Sequence, residues 1–293
     1  MLSTIVEGLY ASKPDRLLYH YTGYPALLGI AQSGELWATD IHYFNDSSEL
    51  KHAVQIFQAA LTNVATTSSY PTDLVTQMRE WLNLRLADGH MLFIACFSED
   101  GNLLSQWRGY TPHGNGVSLG FDSSFLAACA QAQEFRLAQC IYDRDQQLQV
   151  ACQTIDALLV YAQASGPVSA QEAHPSQSYH PRFYSEEIKL LSVAALLKNP
   201  AFVAEREWRA VSAVSPSYVK NPPRYRAGRT TLIPYKPFSV RLSATAPMQL
   251  SHVYLGPTPE NNLAMTALST FLASCNISPK QGVKTSQLPY RET

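Results

Sequence analysis

Charge is scarce in this chain, and most of the short signatures that announce a chemistry are missing. Only 15% of its 293 residues are charged and the net charge is −1. No global basic field therefore points to nucleic acid or an anionic membrane, although a local basic groove stays open. There is no Walker loop and no Gly-x-Gly-x-x-Gly fingerprint, which disfavours P-loop and Rossmann nucleotide enzymes. Gly-x-Ser-x-Gly elbows and His-Glu-x-x-His zinc motifs are absent too. The five cysteines (Cys96, Cys129, Cys140, Cys152 and Cys275) are scattered and form no Cys-x-x-Cys pair. Neither a zinc site nor a disulfide framework is expected from them, and buried inert thiols are the default. No apolar run approaches membrane-span length, and no basic segment leads into an apolar stretch at the N-terminus. The expectation is a cytoplasmic protein with no membrane partner.

What is present is a folding chain. Hydrophobic residues make up 46%, enough for a full core. Short strand-like runs are expected at Leu17–Thr22, Leu36–Thr39, Met91–Phe97, Val117–Phe121, Phe135–Tyr142, Trp208–Val214, Thr230–Tyr235 and Val253–Leu255. Helices are expected from Pro25 to Gly34, from Asp46 onward, over Asp73–Leu86, Gln146–Ala164 and Phe183–Asn199, and from Thr258 with Pro259 in its first turn. Asp122 is placed to cap a short helix of its own. The helices do not alternate regularly with strands, which predicts an α+β fold rather than a doubly wound parallel sheet. One domain spanning 1–293 is expected, with 165–182, rich in Ser, Pro, Gln and His, as a flexible loop.

Several polar groups stand out against this frame. Glu205 and Glu207 flank Arg206 at the mouth of a strand, and if the strand reaches back to Glu205 both carboxylates face one side. A carboxylate beside a ribose can oppose the positive charge that builds as a glycosidic bond breaks, and a second can serve the nucleophile. An acidic, solvated strand end is the simpler reading. Upstream, Leu18, His20 and Thr22 share one strand face and Tyr19 and Tyr21 the other. His20 and Thr22 could bond a ribose diol or an amide, or His20 could be a satisfied core histidine. In Phe44-Asn45-Asp46-Ser47-Ser48-Glu49 the acidic residues suit a helix cap, which leaves Asn45 as the candidate contact or as a turn former. Ligation of a metal by His42, Asp46 and His52 matches no standard spacing. Ser98, Ser105, Trp107, Arg108 and Tyr110 form a dense patch in which aromatics and a cation could sandwich a nicotinamide or adenine ring, or close the edge of the core. The stretch Tyr218–Arg229, with Lys220, Arg224, Tyr225 and Arg226, could contact phosphates and a stacked base, or be a solvated hairpin loop.

Taken in order, Tyr19-His20-Tyr21-Thr22, Trp37-Ala38, Phe44-Asn45-Asp46 with Glu49, Ser105-x-Trp107-x-x-Tyr110, Glu205-x-Glu207-Trp208-Arg209 and Ser286-x-x-Pro289-Tyr290-Arg291 resemble a widespread bacterial family of unassigned function. More distantly, the early His-x-Thr, the helix after it and the late strand Glu resemble the ADP-ribosyltransferases, among them the diphtheria-toxin and poly-ADP-ribose-polymerase types and DNA-modifying toxins of toxin–antitoxin pairs. That resemblance implies a strand-rich split sheet flanked by helices, with NAD in the cleft as substrate. It implies that His20 contacts the adenosine-side ribose or the nicotinamide, that Glu207 assists loss of nicotinamide, and that Glu205 matches the extra carboxylate of side-chain-modifying members. Ser98, Ser105 and Tyr110 are the candidates for the middle motif. The implied activity is NAD-consuming transfer to an unknown protein or nucleic-acid acceptor, or NAD glycohydrolysis. A toxin or anti-phage effector with an antitoxin or defence-system partner is its implied setting. The rival reading is a nucleic-acid-binding or sensing module of such a system, without catalysis.

Overall fold

In the computed structural model, the structure describes residues 1–44, 48–88, 90–111, 115–165, 183–212, 222–243 and 246–288. Ten strands join in one sheet: β1 (Leu18–Thr22), β2 (Glu35–Asp40), β3 (Phe93–Ser98), β4 (Val117–Phe121), β5 (Phe135–Gln139), β6 (Glu207–Ser212), β7 (Arg224–Ala227), β8 (Leu232–Ser239), β9 (His252–Leu255) and β10 (Val283–Thr285). The path runs β10-β9-β4-β1-β3-β2-β8-β7, with β6 on β3 and β5 on β6. Among the described strands the β9–β10 pair alone is parallel; the other strand pairings are antiparallel. The mixed α+β class follows from the pattern, and the helices pack on both faces of the sheet.

The central strand β3 shows how. Its alternate residues Phe93, Ala95 and Phe97 enter one core with Leu18, Leu119, Phe121, Trp208 and Phe238. Helices α2 (Tyr24–Ser33), α6 (Ser123–Ala132) and α9 (Asn261–Ser274) supply the other half of that core. Ile94 and Val211 face the opposite core, filled by α3 (Ser48–Thr67), α4 (Thr72–Asp88), α7 (Arg144–Ala164) and α8 (Glu187–Ala194). This two-residue alternation is what a strand buried on both sides requires.

Beta3 is also where the sheet divides. One edge carries β6 from Ile94 to Ser98. The other edge is shared: β2 pairs with it at Phe93 and Ile94, and β1 only at Ser98. Between them the backbone of Ala95–Phe97 has no strand partner on that edge, and the gap opens toward the residues described below.

Local signals account for most boundaries. Gly34 closes α2 in the left-handed region at φ 69°, with its N–H bonded to the Ile30 carbonyl, a conformation that costs glycine nothing. The Asp122 and Asp143 carboxylates cap α6 and α7 by accepting from the N–H groups of Phe125 and Gln146. Three expectations need correction. Alpha9 begins at Asn261, past Thr258 and Pro259, with no side-chain cap. The helix expected to reach Asn199 ends at Ala194, and Leu197 then bridges Ile141 in parallel. Arg224–Ala227, within the stretch given as a hairpin loop, is a strand paired to β8. The expected cap at Asp46, and the loop expected at 165–182 apart from Ser165, lie outside the described residues.

Candidate active site

Strand β6 is buried along its whole length, yet it carries Glu207 and Arg209 on one face. A charge in such a place must be paired. The Arg209 guanidinium, 1% exposed, satisfies itself three ways: Nε donates to Glu207 Oε1 at 2.7 Å, Nη2 to Glu49 Oε2 at 2.7 Å, and Nη1 to the Ala195 carbonyl at 2.7 Å. Phe44 lies under the same guanidinium at 5.4 Å. Lys198 enters from the extended segment after α8, where its N–H bonds the Ile141 carbonyl. Its ammonium donates to Glu207 Oε2, pairs with Glu205 Oε2 at 2.6 Å without the alignment of a hydrogen bond, and lies 3.6 Å from Glu49. In this cluster three carboxylates face two cations, so one negative charge is left over when all are ionised.

Glu205 does not belong to the strand, contrary to the simple alternation. It ends a short 3-10 helix, Pro200–Glu205, and Arg206 follows at φ 41° in the left-handed region. That reversal, rather than strand periodicity, turns both carboxylates toward Lys198. Ser98 holds the turn by donating its hydroxyl to the Glu205 carbonyl at 2.7 Å. Because a non-glycine residue pays of order 1 kcal/mol for left-handed backbone, Arg206→Gly is expected to leave stability unchanged or raised. Arg206→Val is expected to lower it by about 1–2 kcal/mol, read by denaturant midpoint.

A small, partly open cavity of about 50 Å³ lies against these carboxylates, lined also by His20, Cys96, Ser98, Gln106 and Tyr110. It holds a few waters or one small functional group. By register, His20 projects to the Phe97 side of the sheet and Glu207 to the Ser98 side. They meet because the gap between β1 and β2 lets His20 reach in, where Nδ1 donates to the free Cys96 carbonyl at 3.1 Å. Burial lowers the His20 pKa, and the bond to Cys96 offsets part of that. A neutral ring that donates through Nδ1 keeps Nε2 as an acceptor.

The other ionisations follow from the same crowding. Burial pushes the Glu207 carboxyl up, but Arg209 and Lys198 outweigh it and hold the pKa down to about 2. Burial opposes the charge on Lys198, and Glu207 more than restores it. The Cys96 thiol is pushed well up by burial and then by Glu207, so it is no nucleophile. Among the described residues no group of His, Cys, Asp and Glu is arranged to hold a metal ion. His42 bonds Asp40 and His52 bonds Gln147, and Asp46 lies outside the described residues.

Residues 106–210 match the model of DUF2971, a family of proteins of unknown function. No curated protein and no solved structure matches the chain. The DUF2971 segment carries Gln106, Tyr110, Lys198, Glu205, Glu207 and Arg209. His20, Cys96, Ser98 and Glu49 come from strands and a helix outside it, so the site is completed by flanking sequence.

The structure gathers some of the expected residues and disperses others. Around the cavity stand His20, Tyr21, Ser98, Tyr110, Glu205 and Glu207. Tyr21 also ties the next loop, donating to the Asp100 carbonyl and accepting from Leu103 N–H. Trp107, however, is fully buried, edge-on to Tyr21 at 4.8 Å and donating to Asn102. It packs α5 (Leu104–Tyr110) onto β1 with no face left exposed. Ser105 and Arg108 are exposed on the outer side of α5, and Thr22 is buried at the end of β1 away from the cavity. Asn45 lies outside the described residues. Glu49 serves Arg209 from the first turn of α3. Lys198 and Arg209 were missed; the signal for both was a lone cation embedded in an apolar run.

Proposed function

We propose that the cavity beside Glu205 and Glu207 is the reacting end of an NAD-consuming site, acting as an ADP-ribosyltransferase toward a macromolecular acceptor or as an NAD glycohydrolase. The observation that carries the reading is the convergence of His20 with two carboxylates on one small cavity at the division of the sheet. The unbalanced negative charge of the cluster suits a cationic nicotinamide ring and the ribosyl cation that forms as it leaves. Glu207, tied to Arg209 and Lys198, fixes the geometry. Glu205, paired among the described residues with Lys198 alone, is the freer carboxylate for opposing that cation or serving the nucleophile. His20 offers Nε2 to a ribose hydroxyl or the carboxamide.

At about 50 Å³ the space takes only the reacting group, since whole ligands of this kind need several hundred Å³. The remainder of the dinucleotide would lie past Tyr110, a lining residue of the cavity that is 45% exposed. NAD consumption of this kind would suit a toxin or anti-phage effector. The test is nicotinamide release from NAD, with and without a cell extract as acceptor source, alongside a thermal-shift titration with NAD. Saturable stabilisation with release is expected. A folded protein that shows neither removes the reading.

A further inference from the structure

A second surface shares the sheet face of Glu207 but lies on the far side of the gap. Thr39 is paired with Ile94, which sets Trp37 level with Cys96, a lining residue of the cavity, just where β2 leaves β3. On that face Trp37 lies tilted on Tyr235, ring centroids 4.8 Å apart, while remaining 48% exposed. Arg226 reaches across from β7, its guanidinium 5.7 Å from the Trp37 ring and donating to Thr39 Oγ1 at 3.2 Å. Among the described residues its Nε has no hydrogen-bond partner. Arg224 stands two residues along the same strand face, exposed and bound to Glu35 at 3.2 Å, and Arg229 is exposed in the turn beyond. Arginines on an edge strand are commonly there to discourage strand addition. That purpose does not explain a half-exposed indole held rigidly by a tyrosine and a guanidinium.

We propose that this platform binds single-stranded nucleic acid, one base stacking on Trp37 and the neighbouring phosphates meeting Arg224, Arg226 and Arg229. The chemistry of the three parts is what such a strand presents: a flat π-face for the indole, and anionic oxygens for planar guanidinium donors. A duplex hides its base faces and is disfavoured. If the cavity acts as proposed above, a strand held here would run along the acceptor side of the same sheet face. That step rests on the NAD reading, whereas the binding itself does not.

The experiment uses fluorescence anisotropy of the full-length protein with labelled single-stranded DNA and, separately, single-stranded RNA, in the absence of NAD. Binding of at least one is expected, falling steeply as salt rises. Trp37→Ala should weaken it by about tenfold or more with no loss of thermal stability, and Trp37→Phe should retain most of it. Arg224→Ala should reduce the salt slope by about one phosphate. Several results would overturn the proposal: no binding of either strand at low salt, equal affinity for duplex, or affinity unchanged by Trp37→Ala and Arg226→Ala. So would displacement of the oligonucleotide by NAD, which would make the platform part of the dinucleotide site. A dimer seen by light scattering and lost in Trp37→Ala would assign the surface to a second copy of the chain. Because the direct binding measurement contains no NAD, which enters only in the displacement arm, absence of binding leaves the nicotinamide-release reading intact, and failure of that assay leaves this one.

Discussion

Replacing Arg209 by methionine will destabilise the protein by about 3–5 kcal/mol, the cost of leaving buried charge uncompensated. Glu207 and Glu49 both lose their principal donor, and Glu207, fixed in a buried strand, cannot turn to water, while Glu49 in the first turn of α3 is itself largely covered. The double change Glu207→Gln with Arg209→Met removes one charge of each sign and should recover much of the loss, since an apolar or neutral replacement of a buried pair often costs little. Denaturant midpoints of the four species measure this directly. Acid gives an independent check. Glu207 has its folded pKa depressed from the ordinary 4.5 to about 2, so its contribution is fully present above pH ~4.5 and is lost as pH falls toward 2. The wild type should lose stability across that window, and Arg209→Met should lose less there because the depression is relieved. Wild-type-like stability of the single variant would mean that the cluster is not integral to the fold.

The parts of this molecule that could be read from sequence are those where one local rule acts alone. Beta4 was legible to the residue, because Val117–Phe121 is a compact apolar run between polar breaks. Asp122 and Gly34 marked helix ends because their roles depend only on near neighbours. Beta7 and β10 were not legible. Both are short, and β7 is exposed at the end of the sheet, so their strand character is imposed by a partner rather than by pattern. The site divides the same way. Glu205 and Glu207 were conspicuous as residue types, but what unites them is a left-handed backbone at Arg206, which the sequence does not announce. Lys198 and Arg209 looked like strays in apolar runs, and only the tertiary fold brings Glu49 from 160 positions away to meet Arg209. Trp107 shows the converse. Its aromatic neighbourhood suggested a ligand stack, whereas burial and the bond to Asn102 make it a piece of core.

Because the two glutamates differ so much in their ties, they should separate fold from chemistry. Glu205→Gln leaves Lys198 with Glu207 and Glu49, so the fold should persist close to wild type. Nicotinamide release should nevertheless fall by roughly 10²–10³-fold, the usual loss when one electrostatic stabiliser of a transition state is removed. Glu207→Gln should lose release to a similar extent but also lose stability, because Arg209 and Lys198 are then left with a neutral partner in a buried place. The readouts are initial rates of nicotinamide release at saturating NAD, set beside thermal midpoints for each variant. A Glu205→Gln variant with wild-type release would transfer the charge-opposing role in the proposed reaction to Glu207. Turnover preserved in both would remove the carboxylates from the chemistry and leave the cluster as a buried ionic staple between β6, α3 and the segment after α8.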